Sequence, residues 1–394
     1  MANSIQPTAG FEAWFLRPKL QQRITAIALL IFIVGAIALS QFGWRQSALF
    51  IVGGLLGLTL YAAKFSFTGA YRKVLVERDP IGMYAQFLAI AIAAILFAPT
   101  LAAGSVFEQD VSGAIAPLGG SVSFGAFLFG IGMQFATGCG CGTLYTVGAG
   151  STTMLFTLAT FGMGAFAASL TRSWWTWLPS GQAIALNEVF GWQLGLLVQL
   201  GLAIVAIALL YGWRRSKSTE LNRQPIWSAL RTQKKLFFGA IALAILNWLV
   251  LILSGQPWRI TWGFALWSAH IAKFVGWNAT TSQFWQGEFA QAALNQSVFA
   301  DATSVTNLGI ILGALLAAAI AGKFVPKAIG SVSAIVFALI GGLLMGYGAF
   351  LSFGCNVNAF FGGIASGSLH GWLWIAFALF GSFVGIRLRS PIIV

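Results

Sequence analysis

The sequence predicts an all-α polytopic membrane protein built from two homologous halves with broken or re-entrant helices. Three observations carry that expectation: composition, a series of apolar runs, and a glycine-cysteine segment that occurs twice. Of 394 residues 58% are hydrophobic and 8% charged, and mean hydropathy is +0.84. No soluble domain has this balance.

Apolar runs long enough to cross a hydrocarbon layer of about 30 Å are read at 23–42, 81–103, 151–171, 192–212, 236–254, 305–322 and 371–388. Shorter, glycine-interrupted runs lie at 47–70, 122–148, 258–281 and 332–366. The polar stretch ahead of the first run is followed by a long apolar segment without a small-residue cleavage site, so it is expected to stay attached rather than act as a signal peptide. The polar 282–304 stretch reads as an interfacial or lateral helix, because Gln, Asn, Glu288 and Asp301 interrupt it. Trp174, Trp175 and Trp177 read as part of an interfacial aromatic belt.

A net charge of +13 would suit a nucleic-acid partner, but its distribution speaks for a membrane. Arg214, Arg215, Lys217, Arg223, Arg231, Lys234 and Lys235 crowd one loop beside Glu220, whereas the 104–121 loop carries only Glu108 and Asp110. This is a positive-inside signature, joined by Arg17, Lys19 and Arg23 at one end of the chain and Arg387 and Arg389 at the other. Both termini and the basic loop are therefore expected in the cytoplasm. The loop also divides the chain into an N-terminal membrane half (1–212), a basic cytoplasmic linker (213–235) and a C-terminal membrane half (236–394).

The halves repeat two features in the same order. With Cys139 laid on Cys355, Gly130 falls on Gly346, Gly132 on Gly348 and Gly138 on Gly354. Gly54 stands ten residues before Lys64 in an Ala-Lys-Phe triplet, and Gly263 ten residues before Lys273 in another. Whether the repeats are parallel or inverted depends on the parity of the crossings. Seven glycines between Gly130 and Gly150 disfavour a continuous helix, at about 1 kcal/mol each relative to Ala. A broken helix leaves N–H groups at the start of its second part, where an anion is favoured. Close helix packing is the plainer reading of the same glycines.

All three cysteines, Cys139, Cys141 and Cys355, fall inside the repeated segment, and Asn356 stands at the second break. A free cysteine is commonly an inert, small hydrophobe. Disulfide scaffolding does not suit three cysteines in a membrane core, and Cys139-Gly140-Cys141 lacks the C-x-x-C spacing. Three thiolates suit a soft metal, yet there is no Met-rich or His-rich tract and the chain has two histidines. Lys64 and Lys273 would each cost at least about 2.5 kcal/mol at bilayer depth, which marks them as anion-binding candidates; snorkelling to an interface is the plain alternative. His270 reads as a polar packing partner. The scarcity of acidic residues argues against a cation path.

The segments AKFSFTGAYRKVLVERD (63–79), FGIGMQFATGCGCGTLYTVGAGS (129–151) and GYGAFLSFGCNVNAFFGGIASGSLHGW (346–372) resemble the signature segments of the YeeE/YedE family of bacterial sulfur-compound transporters, its longer YedE-like branch in particular. The resemblance implies a multi-pass inner-membrane protein that takes up thiosulfate or a related species past membrane-embedded cysteines. Cys139 and Cys355 stand where the family has its two functional cysteines. Ser66 stands where many members carry a third, and Thr146-Val147-Gly148-Ala149-Gly150 replaces an R-x-G-E-G element.

The reading is a non-enzymatic transporter, without a cofactor, for a small sulfur-containing anion, thiosulfate first. Its candidate substrate-binding residues are Cys139, Cys355, Cys141, Ser66, Lys64, Lys273 and Asn356. A membrane thiol redox or persulfide-transfer protein is the alternative, and a channel with incidental cysteines a third class. Membrane lipid is the expected environment, nucleic acid is not a partner, and a cytoplasmic sulfur-carrier protein is a partner by analogy only. Moving a dianion inward against 100 mV costs about 4.6 kcal/mol, and no G-x-x-x-x-G-K-[ST] element supplies ATP drive.

Overall fold

A computed structural model describes residues 15–215 and 231–389, and shows an all-α, multi-pass membrane protein. Lys217, Glu220 and Arg223 of the basic loop lie outside the described residues. Ten helical stretches among those described are long and apolar enough to span a bilayer. The helices that position the site are α1 (Pro18–Leu39), α2 (Trp44–Ala63), the short α3 (Phe67–Arg72), α4 (Ile81–Ala103), α5 (Gly120–Ala136), α6 (Gly140–Gly148), α7 (Thr152–Leu170) and α8 (Trp192–Arg215). Beyond the basic loop come α9 (Lys234–Ser254), α10 (Thr261–Phe274), α11 (Glu288–Asn295), α12 (Ala302–Ile320), α13 (Val332–Leu351) and α14 (His370–Arg389).

Loop-to-loop hydrogen bonds define two faces. On one, Gln21 Nε2 donates to the Phe324 carbonyl at 2.7 Å and Thr152 Oγ1 to that of Lys327 at 2.9 Å. This basic face carries Arg17, Lys19, Arg23, Lys323 and Lys327. On the opposite face, Ser112 N donates to Gly255 O at 2.8 Å and Leu186 N to Gly367 O at 2.8 Å. The 282–304 stretch forms short helices, α11 among them, at that opposite face. There Trp285 Nε1 reaches Ser169 Oγ at 2.8 Å. Trp174 and Trp177 are 70% and 74% exposed, as an interfacial belt requires. Trp175 instead donates to the Tyr347 hydroxyl at 2.8 Å.

Helices from before and after the basic loop pack directly on one another through glycines. A Cβ at Gly57 would strike the Ile310 carbonyl, one at Gly313 the Gly54 carbonyl, and one at Gly346 the Phe161 carbonyl. Small residues let backbones meet where lipid supplies no hydrophobic drive for association. On α5, Gly125 lies against Gly348 and Gly132 against Gly341, so α5 and α13 run antiparallel.

Both glycine-cysteine segments are broken, as their glycine content predicts. Thr137 (φ 59°) ends α5, and Phe353 (φ 61°) follows α13; a glycine and then a cysteine come after each. Left-handed backbone at Thr or Phe is rare and costs on the order of 1–3 kcal/mol. After the second break the chain forms a π-helical turn, Asn356–Gly362, and one α turn, Gly363–Ala365.

Replacing Gly57 by Val should lower stability by about 1–3 kcal/mol, the usual effect of overpacking. Gly201→Ala on α8, where a Cβ meets nothing within 4 Å, should shift it by less than about 0.5 kcal/mol. Thermal unfolding of the two variants in detergent checks the contrast, and equal losses would refute close packing at Gly57.

Candidate substrate site at the two helix breaks

Cys139 and Cys355 are the N-cap residues of the segments after the two breaks, with nearly the same backbone: φ −103°, ψ −175° and φ −97°, ψ −167°. Each carbonyl accepts the first helical hydrogen bond, from Thr143 N at 2.7 Å and Ala359 N at 2.9 Å. The N–H of Gly142 faces the Cys139 sulfur, and those of Val357 and Asn358 face the Cys355 sulfur. These are first-turn donors with no carbonyl partner one turn earlier, the groups that attract an anion at a helix start.

The three thiols meet in the interior. Cys139, Cys141 and Cys355 are 2%, 1% and 0% exposed. Cys139 Sγ lies 3.4 Å from Cys141 Sγ, and a Cβ built on Gly140 would sit 3.6 Å from Cys355 Sγ. Gly140 is therefore the point where the two breaks touch, and a Cβ there would be in ordinary contact with the third thiol. Phe161 and Ile260 close the same spot.

Two hydroxyls stand beside the cysteines, Thr68 against Cys139 and Thr261 against Cys355. Both are buried, and apart from the thiol that each faces neither has a hydrogen-bond partner. Asn356 donates to the Tyr71 hydroxyl at 2.8 Å, while its Oδ1 has no partner. A buried polar group left unpaired costs about 1–3 kcal/mol, so several in one small region mark a place where a polar ligand fits. Phe360, whose ring edge meets Phe67, Tyr71 and Phe87 at centroid distances of 6.4, 6.4 and 5.9 Å, makes the wall rigid.

The structure brings Cys139, Cys141, Cys355 and Asn356 together and leaves the other three expected residues elsewhere. Ser66 caps α3, accepting from Gly69 N at 2.9 Å; the residue of that segment which faces Cys139 is Thr68, two positions on. Lys64 is exposed, ends α2 in a left-handed conformation (φ 52°) and borders a cavity on the basic face. Lys273 is also exposed, at the opposite face, where its Nζ donates to Leu294 O at 3.4 Å and Asn295 Oδ1 at 3.3 Å. Thr68, Tyr71 and Thr261 escaped the sequence reading. Buried positions on the short helix after Phe65 were the available signal for the first two, whereas Thr261 has none. Among the described residues, no three His, Cys, Asp or Glu side chains are arranged to hold a metal ion.

The chain is 29% identical over 346 residues to the thiosulfate transporter TsuA of Spirochaeta thermophila, an alignment that covers 84% of this chain and 96% of that one. It is 25% identical over 344 residues to the thiosulfate transporter TsuA of Escherichia coli, across 84% and 91%. A probable transporter, YedE of Escherichia coli, is 33% identical over 149 residues, 38% of this chain and 36% of that one. Residues 62–384 match the Sulphur transport family, and the chain belongs to that family.

Proposed function

We propose that this protein imports thiosulfate across the bacterial inner membrane, by passing the anion between two cysteine-bearing helix starts that face each other. The observation that carries the reading is the meeting of Cys139, Cys141 and Cys355 with the hydroxyls of Thr68 and Thr261, which have no partner beyond the thiols. Thiols are polarizable weak donors suited to the terminal sulfur of thiosulfate; hydroxyls and backbone N–H groups suit its oxygens. Thiols, hydroxyls and backbone N–H groups hold the dianion as dipoles, so it leaves readily. The similarity to two thiosulfate transporters supports the same substrate.

We also infer an inverted repeat: α5 and α13 lead into their breaks from opposite faces, and Thr68–Cys139 is matched by Thr261–Cys355. In this register Lys64, at the end of α2, does not correspond to Lys273, at the end of α10, so the two Ala-Lys-Phe triplets are not equivalent. Each half-helix start then serves one side of the membrane, as alternating access requires. The basic face is assigned to the cytoplasm by the positive-inside rule. A second reading, thiol redox or persulfide transfer, has the 3.4 Å separation of Cys139 and Cys141 in its favour. Mass spectrometry of the cysteines during turnover separates the two: free thiols throughout support carriage, and an obligatory persulfide supports transfer.

In vesicles supplied with labelled thiosulfate, Cys139→Ala and Cys355→Ala should each abolish uptake while the protein remains folded in the membrane. Cys141→Ala should be milder, because Val357 occupies the matching place. Normal uptake in both of the first two variants would refute the path.

Thr68→Val and Thr261→Val should separate stability from function. Each removes a buried hydroxyl whose one partner is a weakly bonding thiol, so thermal stability should change by less than about 1 kcal/mol. Each should also raise the Michaelis constant for thiosulfate by roughly two- to tenfold, the worth of one hydrogen bond of about 0.5–1.5 kcal/mol. Loss of stability with unchanged kinetics would make these hydroxyls structural.

A further inference from the structure

A cavity of about 650 Å3 opens on the basic face between the end of α2, the start of α3 and the start of α9. Its floor includes Ser66 and Gly69, in the same short segment whose Thr68 faces Cys139. Around it stand Lys64, Lys73, Arg231, Lys234 and Lys235 against a single carboxylate, Asp79. That carboxylate lies 3.9 Å from Lys73 Nζ. Among the described residues, no acidic side chain lies within ion-pair distance of Lys64, Arg231, Lys234 or Lys235.

The placement of these cations is unfavourable for the protein alone. Lys234 and Lys235 occupy the first turn of α9, with no acidic residue beside them, where the positive end of the helix dipole disfavours cations and favours anions. Like charges around one concave surface also repel, and a concave wall focuses their field instead of letting water disperse it. An anion in the cavity relieves both costs. The cavity is much wider than one sulfate-sized ion, and its cations are exposed, flexible side chains. An ion therefore keeps most of its water and exchanges quickly, so binding is weak and sensitive to salt.

Resting on the transport reading above, we propose that this cavity is a cytosol-facing site for small tetrahedral oxyanions of the substrate's class. It receives the dianion released from the cysteines and, once the anion accumulates inside, stays occupied and slows further uptake. Such a site leaves the overall equilibrium unchanged. It makes the rate of net import depend on internal anion, which is product inhibition built into the exit.

The test uses the full chain in phosphatidylcholine nanodiscs at low ionic strength, titrated with sodium sulfate by calorimetry. Wild type is compared with Arg231→Gln/Lys234→Gln/Lys235→Gln and with Cys139→Ala/Cys355→Ala. Removal of three exposed cations should weaken sulfate binding by roughly tenfold, while the cysteine variant should bind as wild type does. Sulfate that binds the triple variant undiminished, or that needs the cysteines, overturns the proposal. Because calorimetry requires no transport, it stands even if uptake of thiosulfate fails.

Two further arms address source and regulation. With phosphatidylglycerol in the discs, sulfate should still bind; if sulfate binds in neither disc type while phosphatidylglycerol association depends on the three cations, a lipid headgroup fills the cavity and the soluble-anion site is wrong. In right-side-out vesicles preloaded with sulfate, wild-type initial uptake of thiosulfate should slow several-fold relative to unloaded vesicles, with little slowing in the triple variant. Equal slowing in both would overturn the regulatory role.

Discussion

Backbone contact at glycines between helices from before and after the basic loop is the constraint on which the rest of the structure depends. Gly57 against Ile310, Gly313 against Gly54 and Gly346 against Phe161 bring main chains closer than any side chain would permit. In a bilayer this closeness does what hydrophobic burial does in water, because dispersion between well-fitted surfaces is the main attraction left. It also shields the interior from lipid. An interrupted helix is tolerated at membrane depth only where protein surrounds it, and both interrupted helices here are surrounded.

That shelter explains how the molecule keeps so many unsatisfied groups in one place. Thr137 and Phe353 hold left-handed backbone, Thr68 and Thr261 hold hydroxyls with no partner beyond the thiols and Asn356 an unpaired Oδ1, and two helix starts leave first-turn N–H groups facing sulfur. Each feature is destabilising by itself. They are gathered around three thiols, which is where strain and polarity serve a ligand rather than the fold. The two breaks share their order of residues, αL then glycine then cysteine, and their cap dihedrals agree within about ten degrees. Similar chemistry is thus presented from two opposed directions.

The lysines considered for binding stand away from this centre. Hydroxyls, backbone N–H groups and aromatic rings face the thiols, and Lys64 and Lys273 are exposed at opposite ends of the bundle. A fixed cation next to the cysteines would bind a dianion tightly in a medium of low dielectric, and tight binding slows a transporter. In the proposed mechanism, dipoles and soft thiols at the two breaks and the cations around the cavity on the basic face grade the attraction from weak and local to long-range and salt-screened.

The sequence by itself determined the membrane class, most of the spans, the basic face and both helix breaks. Those properties follow from composition and from local backbone preference: apolar length sets a span, and clustered glycine interrupts a helix. The cysteines and Asn356 were legible for the same reason, since they lie at the breaks. Only the tertiary structure decided that Thr68 rather than Ser66 faces a thiol, that Thr261 stands beside Cys355, and that Lys64 and Lys273 lie away from the thiols. Which side of a six-residue helix points inward, and which loop dips to meet Gly140, depend on packing between segments far apart in sequence, such as Thr68 with Cys139 and Ile260 with Gly140. Local spacing carries no record of such contacts.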